Sequence, residues 1–195
     1  MKRLFDILFS LLVLTIGLPF ALIIALLIVL DSKGSVLYRQ CRVGRNNVDF
    51  QLYKFRTMCT GADKGSLITV GGDDARITKV GRFLRKYKID EFPQFLNILK
   101  GEMSIVGPRP EVRKYVDMYT PEQMRVLSVR PGLTDYASIR YVNENELLAT
   151  SLDPEKTYIE EIMPDKLKLN LKYIDEQSVG TDLKIMMQTI VAIFK

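Results

Sequence analysis

The sequence predicts an α+β protein in two parts. Residues 1–32 form an N-terminal reentrant, proline-broken membrane helix, and residues 33–195 form a mainly helical globular domain with a small β-hairpin and amphipathic interfacial helices. Three observations lead there. An uncharged apolar run from Ile7 to Leu30 carries Pro19 at its middle, both flanks of the run are basic, and the remainder alternates short β-rich and helical segments. As a straight helix the run would reach about 36 Å, enough to cross a bilayer core of about 30 Å. Lys2 and Arg3 precede it, however, and Lys33, Arg39, Arg42 and Arg45 follow it. Cytoplasmic flanks collect Lys and Arg, so a straight span would leave one basic flank on the wrong side. A helix that bends at Pro19 and leaves on the face it entered satisfies both flanks. A straight bitopic helix with the domain outside is the alternative.

The elements follow in order. Val36–Arg39 and Phe50–Phe55 are β-rich and are joined by the turn-like Gly44-Arg-Asn-Asn47, which predicts a hairpin. Thr60–Asp74 holds four glycines and reads as a loop. From Ile77 to Tyr87 the apolar positions Val80, Phe83, Leu84 and Tyr87 fall at i, i+3, i+4 and i+7, an amphipathic basic helix. A second helix covers Glu91–Leu99 and stops at Lys100-Gly101, and Gly107-Pro-Arg-Pro110 is a rigid turn. Pro121–Val129, Pro154–Tyr173 and Asp182–Phe194 are further helices, the last apolar enough to lie on a membrane or cover the core.

Composition narrows the chemistry. The 195 residues contain no histidine, which removes Ser-His-Asp and Cys-His catalysis, His-ligated zinc and imidazole bases. Carboxylates, Lys, Arg, hydroxyls or a hard metal held by oxygens remain. Cys41 and Cys59 lack metal or redox spacing and read as reduced cytosolic thiols. The apolar run is too long for a typical signal-peptide core, and no small-x-small cleavage site follows it. A net charge of +5 suits an anionic membrane or phosphate-bearing ligands.

One constellation carries chemistry. Asp90-Glu91 stands between two helical stretches, where the plain reading makes Asp90 a helix cap and Glu91 a first-turn acid. The company argues for more. Arg76, Lys79, Arg82, Arg85, Lys86 and Lys88 precede the pair, and Arg109 follows in a proline-locked turn. Adjacent carboxylates among guanidinium groups suit a divalent metal and phosphate oxygens. Tyr53-Lys-Phe-Arg-Thr-Met58 and Arg130-Pro-Gly-Leu-Thr134 are weak alone: an edge strand with outward charges, and an arginine before a turn.

Taken in order, these segments resemble the small monotopic phosphoglycosyl transferases, the bacterial sugar transferase family. The resemblance runs from Lys2-Arg-Leu-Phe-Asp6 through Tyr53–Met58, Thr78-Lys-Val-Gly-Arg-Phe-Leu-Arg85 and Asp90-Glu-Phe-Pro-Gln94. It continues through Asn97–Ser104 and Val106–Pro110 to Arg130–Thr134, essentially the whole chain. It implies transfer of a phosphosugar from a nucleoside diphosphate sugar, usually of uridine, to polyprenol phosphate, with release of a nucleoside monophosphate. Such enzymes initiate glycan assembly. It also implies that Asp90 is the nucleophile of a covalent intermediate and that Glu91 helps it hold Mg²⁺. Arg85 and Arg109 would hold phosphate oxygens, Lys54 and Arg56 would face the same pocket, and Arg130 would lie near the nucleotide.

The expected setting is one leaflet of the bacterial inner membrane, with the domain on the cytosolic face and no nucleic-acid partner; a homo-oligomer is left open. The chain departs from the family at Leu18-Pro19, where Ser-Pro is usual, at Tyr87-Lys-Ile89, where a Thr-Ser-Leu type stretch is usual, and at Thr134-Asp-Tyr-Ala-Ser138. A runner-up of another class is a membrane-surface scaffold that uses its basic helices to bind anionic lipid or nucleic acid; it would need neither the carboxylate pair nor the arginine-proline turns.

Overall fold

The computed structural model describes residues 2–62 and 74–193, and its first element is one helix, α1 (Lys2–Asp31), with Pro19 inside it. The expected helix-break-helix is thus a single continuous element. Proline 19 removes one backbone bond to the preceding turn, and helical backbone continues on both sides. Among the outward side chains are Leu4, Leu8, Leu12, Ile16, Phe20, Ile23, Leu27 and Leu30, all well exposed. By length and composition α1 could cross a membrane.

The opposite stripe of α1 meets the rest of the chain along its whole length. Arg3 donates to Ile98 O at 2.6 Å, and Asp6 accepts from Ser104 Oγ at 2.9 Å and Ile105 N at 3.2 Å. Near the other end Ile28 is buried with Phe55 and Leu84, and Asp31 accepts from Val80 N at 2.9 Å. These residues recur every three or four positions, the spacing of one helical face. Asp6 is buried, and its carboxyl is tolerated there because two donors meet it.

β1 (Leu37–Val43) and β2 (Asp49–Phe55) form the expected hairpin, with Leu37 opposite Phe55 and Val43 opposite Asp49. Asn46 and Asn47 make its turn at φ 59° and 62°, a conformation asparagine tolerates well. The loop expected over Thr60–Asp74 lies mostly outside the described residues. α2 (Lys79–Lys86) is capped by Thr78, and α3 (Gln94–Lys100) ends at Gly101 with φ 89°. Two strands were not expected: β3 (Ser104–Val106) lies parallel to β4 (Gly132–Thr134), on either side of the short α4 (Arg113–Val116) in sequence. The helix expected over 121–129 is a 3₁₀ segment, Gln123–Ser128.

The C-terminal half is helical: α5 (Tyr136–Arg140), α6 (Glu144–Ala149), α7 (Pro154–Thr157), a π turn over Tyr158–Ile162, α8 (Met163–Asp175) and α9 (Val179–Ile193). The end expected for the last helix, Phe194, lies outside the described residues. One hydrophobic cluster joins Tyr115, Leu148, Ile162 and Leu167. A second joins Ile98, Met103, Val106, Tyr173 and Ile185 and takes in Phe9 of α1. The third is the Ile28–Phe55–Leu84 contact, against which Phe92 also packs.

Candidate active site

The carboxylate pair is placed by a reversal of the chain after α2. Lys88 adopts a left-handed conformation, φ 56° and ψ 19°, and a 3₁₀ turn over Ile89–Glu91 follows. A non-glycine residue there costs about 1–2 kcal/mol and persists where the surroundings over-determine it. The turn buries both acids, Asp90 to 5% exposure and Glu91 to 9%. The capping role read from the sequence is not realised: the cap of α3 is Pro93, with no side-chain bond.

The cations arrive from three elements. Lys54, on β2, places Nζ 3.4 Å from Glu91 Oε1. Arg109 donates from Nη2 to the same oxygen. Arg85, on α2, donates from Nε to Thr57 Oγ1 at 3.0 Å and adds positive charge near Asp90. Its helix can dock this closely because residue 81 is glycine: a Cβ there would lie 2.1 Å from Thr57 O. Neither Thr57 nor Gly81 was singled out from the sequence; glycine inside an amphipathic helix was the available signal.

Arg109 is held from behind. Its backbone N donates to Asp135 Oδ2 at 3.1 Å and its Nη1 to Leu133 O at 3.0 Å. Asp135 is fully buried and also caps α5 by accepting from Ser138 N. The proline-locked turn leans on the other arginine-proline turn, with Gly107 N bonded to Thr134 O at 3.0 Å and Gly132 N to Pro108 O at 2.9 Å. A Cβ on Gly132 would lie 2.1 Å from Gly107 N, so only glycine permits this approach.

Two expected residues sit differently. Arg56, 7% exposed, donates from Nη2 to Ile28 O at 3.2 Å and Ser32 O at 2.6 Å, clamping the end of α1. Its Nε and Nη1 are buried without a partner. Arg130 donates to Gly101 O at 2.8 Å and makes no contact with the carboxylates among the described residues. The structure therefore gathers Lys54, Arg85, Asp90, Glu91 and Arg109.

The two acids differ in electrostatics. Burial pushes the Asp90 carboxyl above the usual carboxylate range, against the pull of Lys54. Burial also opposes ionisation of Glu91, but Arg109 and Lys54 outweigh it and hold that carboxyl well below the usual range. Burial lowers Lys54, with Glu91 and Asp90 pulling the other way. Glu91 thus stays an anion that organises two cations. Asp90 Oδ1 is buried with no hydrogen-bond partner. An unsatisfied carboxylate oxygen beside several cations is suited to a divalent cation or to attack on a phosphoryl group. Among the described residues no cluster of three or more acidic or thiol groups exists. Two adjacent carboxylates, one with an unpartnered oxygen, are a donor set compatible with Mg²⁺, which takes one or two carboxylates and completes its shell with water and substrate phosphates.

A model of the bacterial sugar transferase family matches residues 1–195. The chain is 38% identical over 192 residues to a UDP-N-acetylgalactosamine-undecaprenyl-phosphate N-acetylgalactosaminephosphotransferase of Aeromonas hydrophila, covering 97% of this chain and 42% of that protein. It is 36% identical over 192 residues to a UDP-glucose:undecaprenyl-phosphate glucose-1-phosphate transferase of Caulobacter vibrioides, covering 97% and 68%. It is 38% identical over 191 residues to an uncharacterized sugar transferase of Bacillus subtilis, EpsL, covering 97% and 85%. The chain thus spans from under half to most of the length of its relatives. Its motifs, its gathered carboxylate-cation site and the match along its length agree: the chain belongs to the bacterial sugar transferase family.

Proposed function

We propose that the protein transfers a sugar 1-phosphate from a UDP-sugar to undecaprenyl phosphate, the first step of a surface polysaccharide, through a covalent intermediate on Asp90. The observation that carries this reading is the buried, unpartnered Asp90 Oδ1 beside Glu91, Lys54, Arg85 and Arg109. The activities for which the Aeromonas and Caulobacter relatives are named supply the substrate classes, and their different sugars leave the sugar open.

In the first half-reaction an Asp90 oxygen attacks the sugar-bearing phosphorus. An acyl-phosphate bond forms, the diphosphate P–O bond breaks, and UMP leaves with the electron pair. In the second, a phosphate oxygen of undecaprenyl phosphate attacks the same phosphorus. The acyl-phosphate bond then breaks, the carboxylate returns, and undecaprenyl diphosphate sugar forms. Lys54, Arg85 and Arg109 hold and neutralise phosphate oxygens, the main work of phosphoryl transfer. Glu91 keeps Lys54 and Arg109 in place. Arg56 clamps the end of α1 through Ile28 O and Ser32 O, and Arg130 would border the nucleotide. Asp90 and Glu91 would hold Mg²⁺, which supplies charge neutralisation at the phosphates when bound. No histidine is needed, because a carboxylate attacks in its ionised form.

The acceptor is a lipid, so the site belongs at headgroup height. α1 contacts the domain near both of its ends, through Arg3 and Asp31. At 1.5 Å per residue the helix is about 45 Å long. A span along the membrane normal would carry one of those ends far from the domain. This supports a helix that enters and leaves one leaflet, with the domain on the cytosolic side of the inner membrane, where nucleotide sugars are.

The test is single turnover. Incubation with Mg²⁺ and UDP-sugar, without lipid, should release one equivalent of UMP and add one phosphosugar mass to a peptide containing Asp90. Release of UMP only when lipid is present, with no adduct, would refute the covalent route. Cysteines placed at residues 2 and 35 of sealed vesicles should label from the same side; opposite-side labelling would refute the one-leaflet course.

A further inference from the structure

On the face of β2 opposite Lys54 lies an open pocket of about 450 Å³, lined by Leu37, Arg39, Tyr53, Leu96, Leu99 and Lys100. Strand alternation turns Tyr53 away from the side that Lys54 presents to Glu91. Two cations converge on the tyrosine. The Arg39 guanidinium lies 5.6 Å from the ring centroid, and Lys100 Nζ lies 4.6 Å from the centroid and 2.6 Å from the hydroxyl. Neither cation makes an ion pair among the described residues. The other three lining residues are leucines, and Leu96 is 40% exposed.

The pocket adjoins α1 at two points. Leu37 packs on the cluster containing Ile28, and Leu99 O accepts from Arg3 Nη2 at 3.1 Å. A paired cation site with apolar walls beside a helix of outward apolar side chains matches one ligand in both halves. The phosphodiester of an anionic phospholipid meets Arg39 and Lys100, and its glycerol and first acyl carbons meet the leucines.

We propose that this pocket binds the headgroup of an anionic phospholipid of the bilayer, as a docking site separate from the carboxylate centre. The proposal rests on the membrane placement of α1 and not on the transfer reaction. It commits to a bilayer lipid because β2 separates the pocket from Glu91, where the reacting phosphates are held in the proposed mechanism.

The experiment is thermal unfolding of the full chain, delipidated in detergent and titrated with dioctanoyl-phosphatidylglycerol. The midpoint should rise by about 3–6 °C with lipid at about ten times its Kd. Dioctanoyl-phosphatidylcholine should leave it unmoved, and any rise with inorganic phosphate or UMP, which the carboxylate centre would bind, should be the same in R39Q/K100Q as in the parent chain. R39Q/K100Q should abolish the phosphatidylglycerol rise while keeping the lipid-free midpoint and the transfer rate. L96W, which fills the pocket from an exposed position, should abolish it too and serves if the double variant folds poorly. An equal rise with phosphatidylcholine, or a phosphatidylglycerol rise that survives both variants, overturns the proposal. A raised KM for polyprenyl phosphate in R39Q/K100Q would assign the pocket to the acceptor and overturn it as well.

Discussion

Gly17, at the middle of α1, lies against the ring of Phe92, the residue that follows Glu91 in the chain. A Cβ at position 17 would sit 2.4 Å from Phe92 Cε2. Phe92 is stacked on Phe55, centroids 6.3 Å apart, and meets Phe95 edge-on, so its ring has little freedom to yield. The apolar helix and the carboxylate pair are thus joined by one contact that only glycine allows.

Substituting that glycine should therefore injure the site and spare the anchor. G17V improves helix propensity, so loss of helix is not the expected effect. It should lower kcat by about tenfold or more, because misplacements on the order of 1 Å cost that much. The membrane-bound fraction should be unchanged. F92L in the same chain should restore most of the rate; additive losses in the double variant would disprove the coupling.

Removing charge from the two acids should act in opposite directions on stability. The Asp90 carboxyl is raised in the folded protein, so its ionisation at neutral pH opposes folding. D90N should abolish transfer and raise the melting midpoint by a few degrees, the usual trade at a strained site. Glu91 is held low, and its contribution is present above the unfolded carboxylate value and lost only as pH falls through the depressed folded value. E91Q should cost about 2 kcal/mol, at the low end for a broken charge pair because Arg109 and Lys54 stay 31% and 23% exposed. Denaturant titration of both variants decides between them.

The pH profile should show the same asymmetry. In the proposed mechanism Asp90 attacks only when ionised, so kcat/KM should fall with falling pH through its raised value, above the ordinary carboxylate value of about 3.9. Lys54 lowers that value. K54M should therefore move the acid limb to higher pH, and R85M should move it the same way by less. An unmoved limb in K54M would mean that another group titrates there.

Asp135 should behave as a positioning residue. It bonds the backbone of Arg109 and caps α5, and it touches neither Glu91 nor Asp90 in the contacts seen. D135A should raise the donor KM by about tenfold and lose about 1 kcal/mol from the missing cap. D135N keeps one acceptor oxygen, enough for the cap on Ser138 N, but sets its amide NH2 against the Arg109 N–H, so it should lose less stability than D135A while still raising the donor KM. A change in kcat alone, with donor KM unaltered, would argue against a role through Arg109.

How much was legible depended on whether the signal was local. The hairpin showed in β-rich runs around Gly44–Asn47, α2 in its 3.6-residue period, and the end of α3 in Gly101. Asp90, Glu91, Arg85 and Arg109 stood out by residue type and company, Lys54 entered only through the family resemblance, and the structure brings those five together. The burial of Asp90, the clamp made by Arg56 and the place of Arg130 were not legible. Each depends on a partner many residues away, such as Ser32 for Arg56 and Gly101 for Arg130. The parallel pairing of β3 with β4 was hidden for the same reason: three-residue strands carry no period, and their pairing is backbone to backbone.

The order of residues alone determined the kinds of groups available. It supplied an apolar helix with basic flanks, a chemistry without histidine, and two adjacent carboxylates among arginines. Hydrophobicity and charge are properties of side chains and survive without a fold. The tertiary structure decided which carboxylate stands apart. Burial raises Asp90, while Arg109, fixed by Asp135 and the Gly107–Gly132 contact, draws Glu91 down. Solvation and Coulomb energy depend on distance and on excluded water, and both exist only once the chain has closed around the pair.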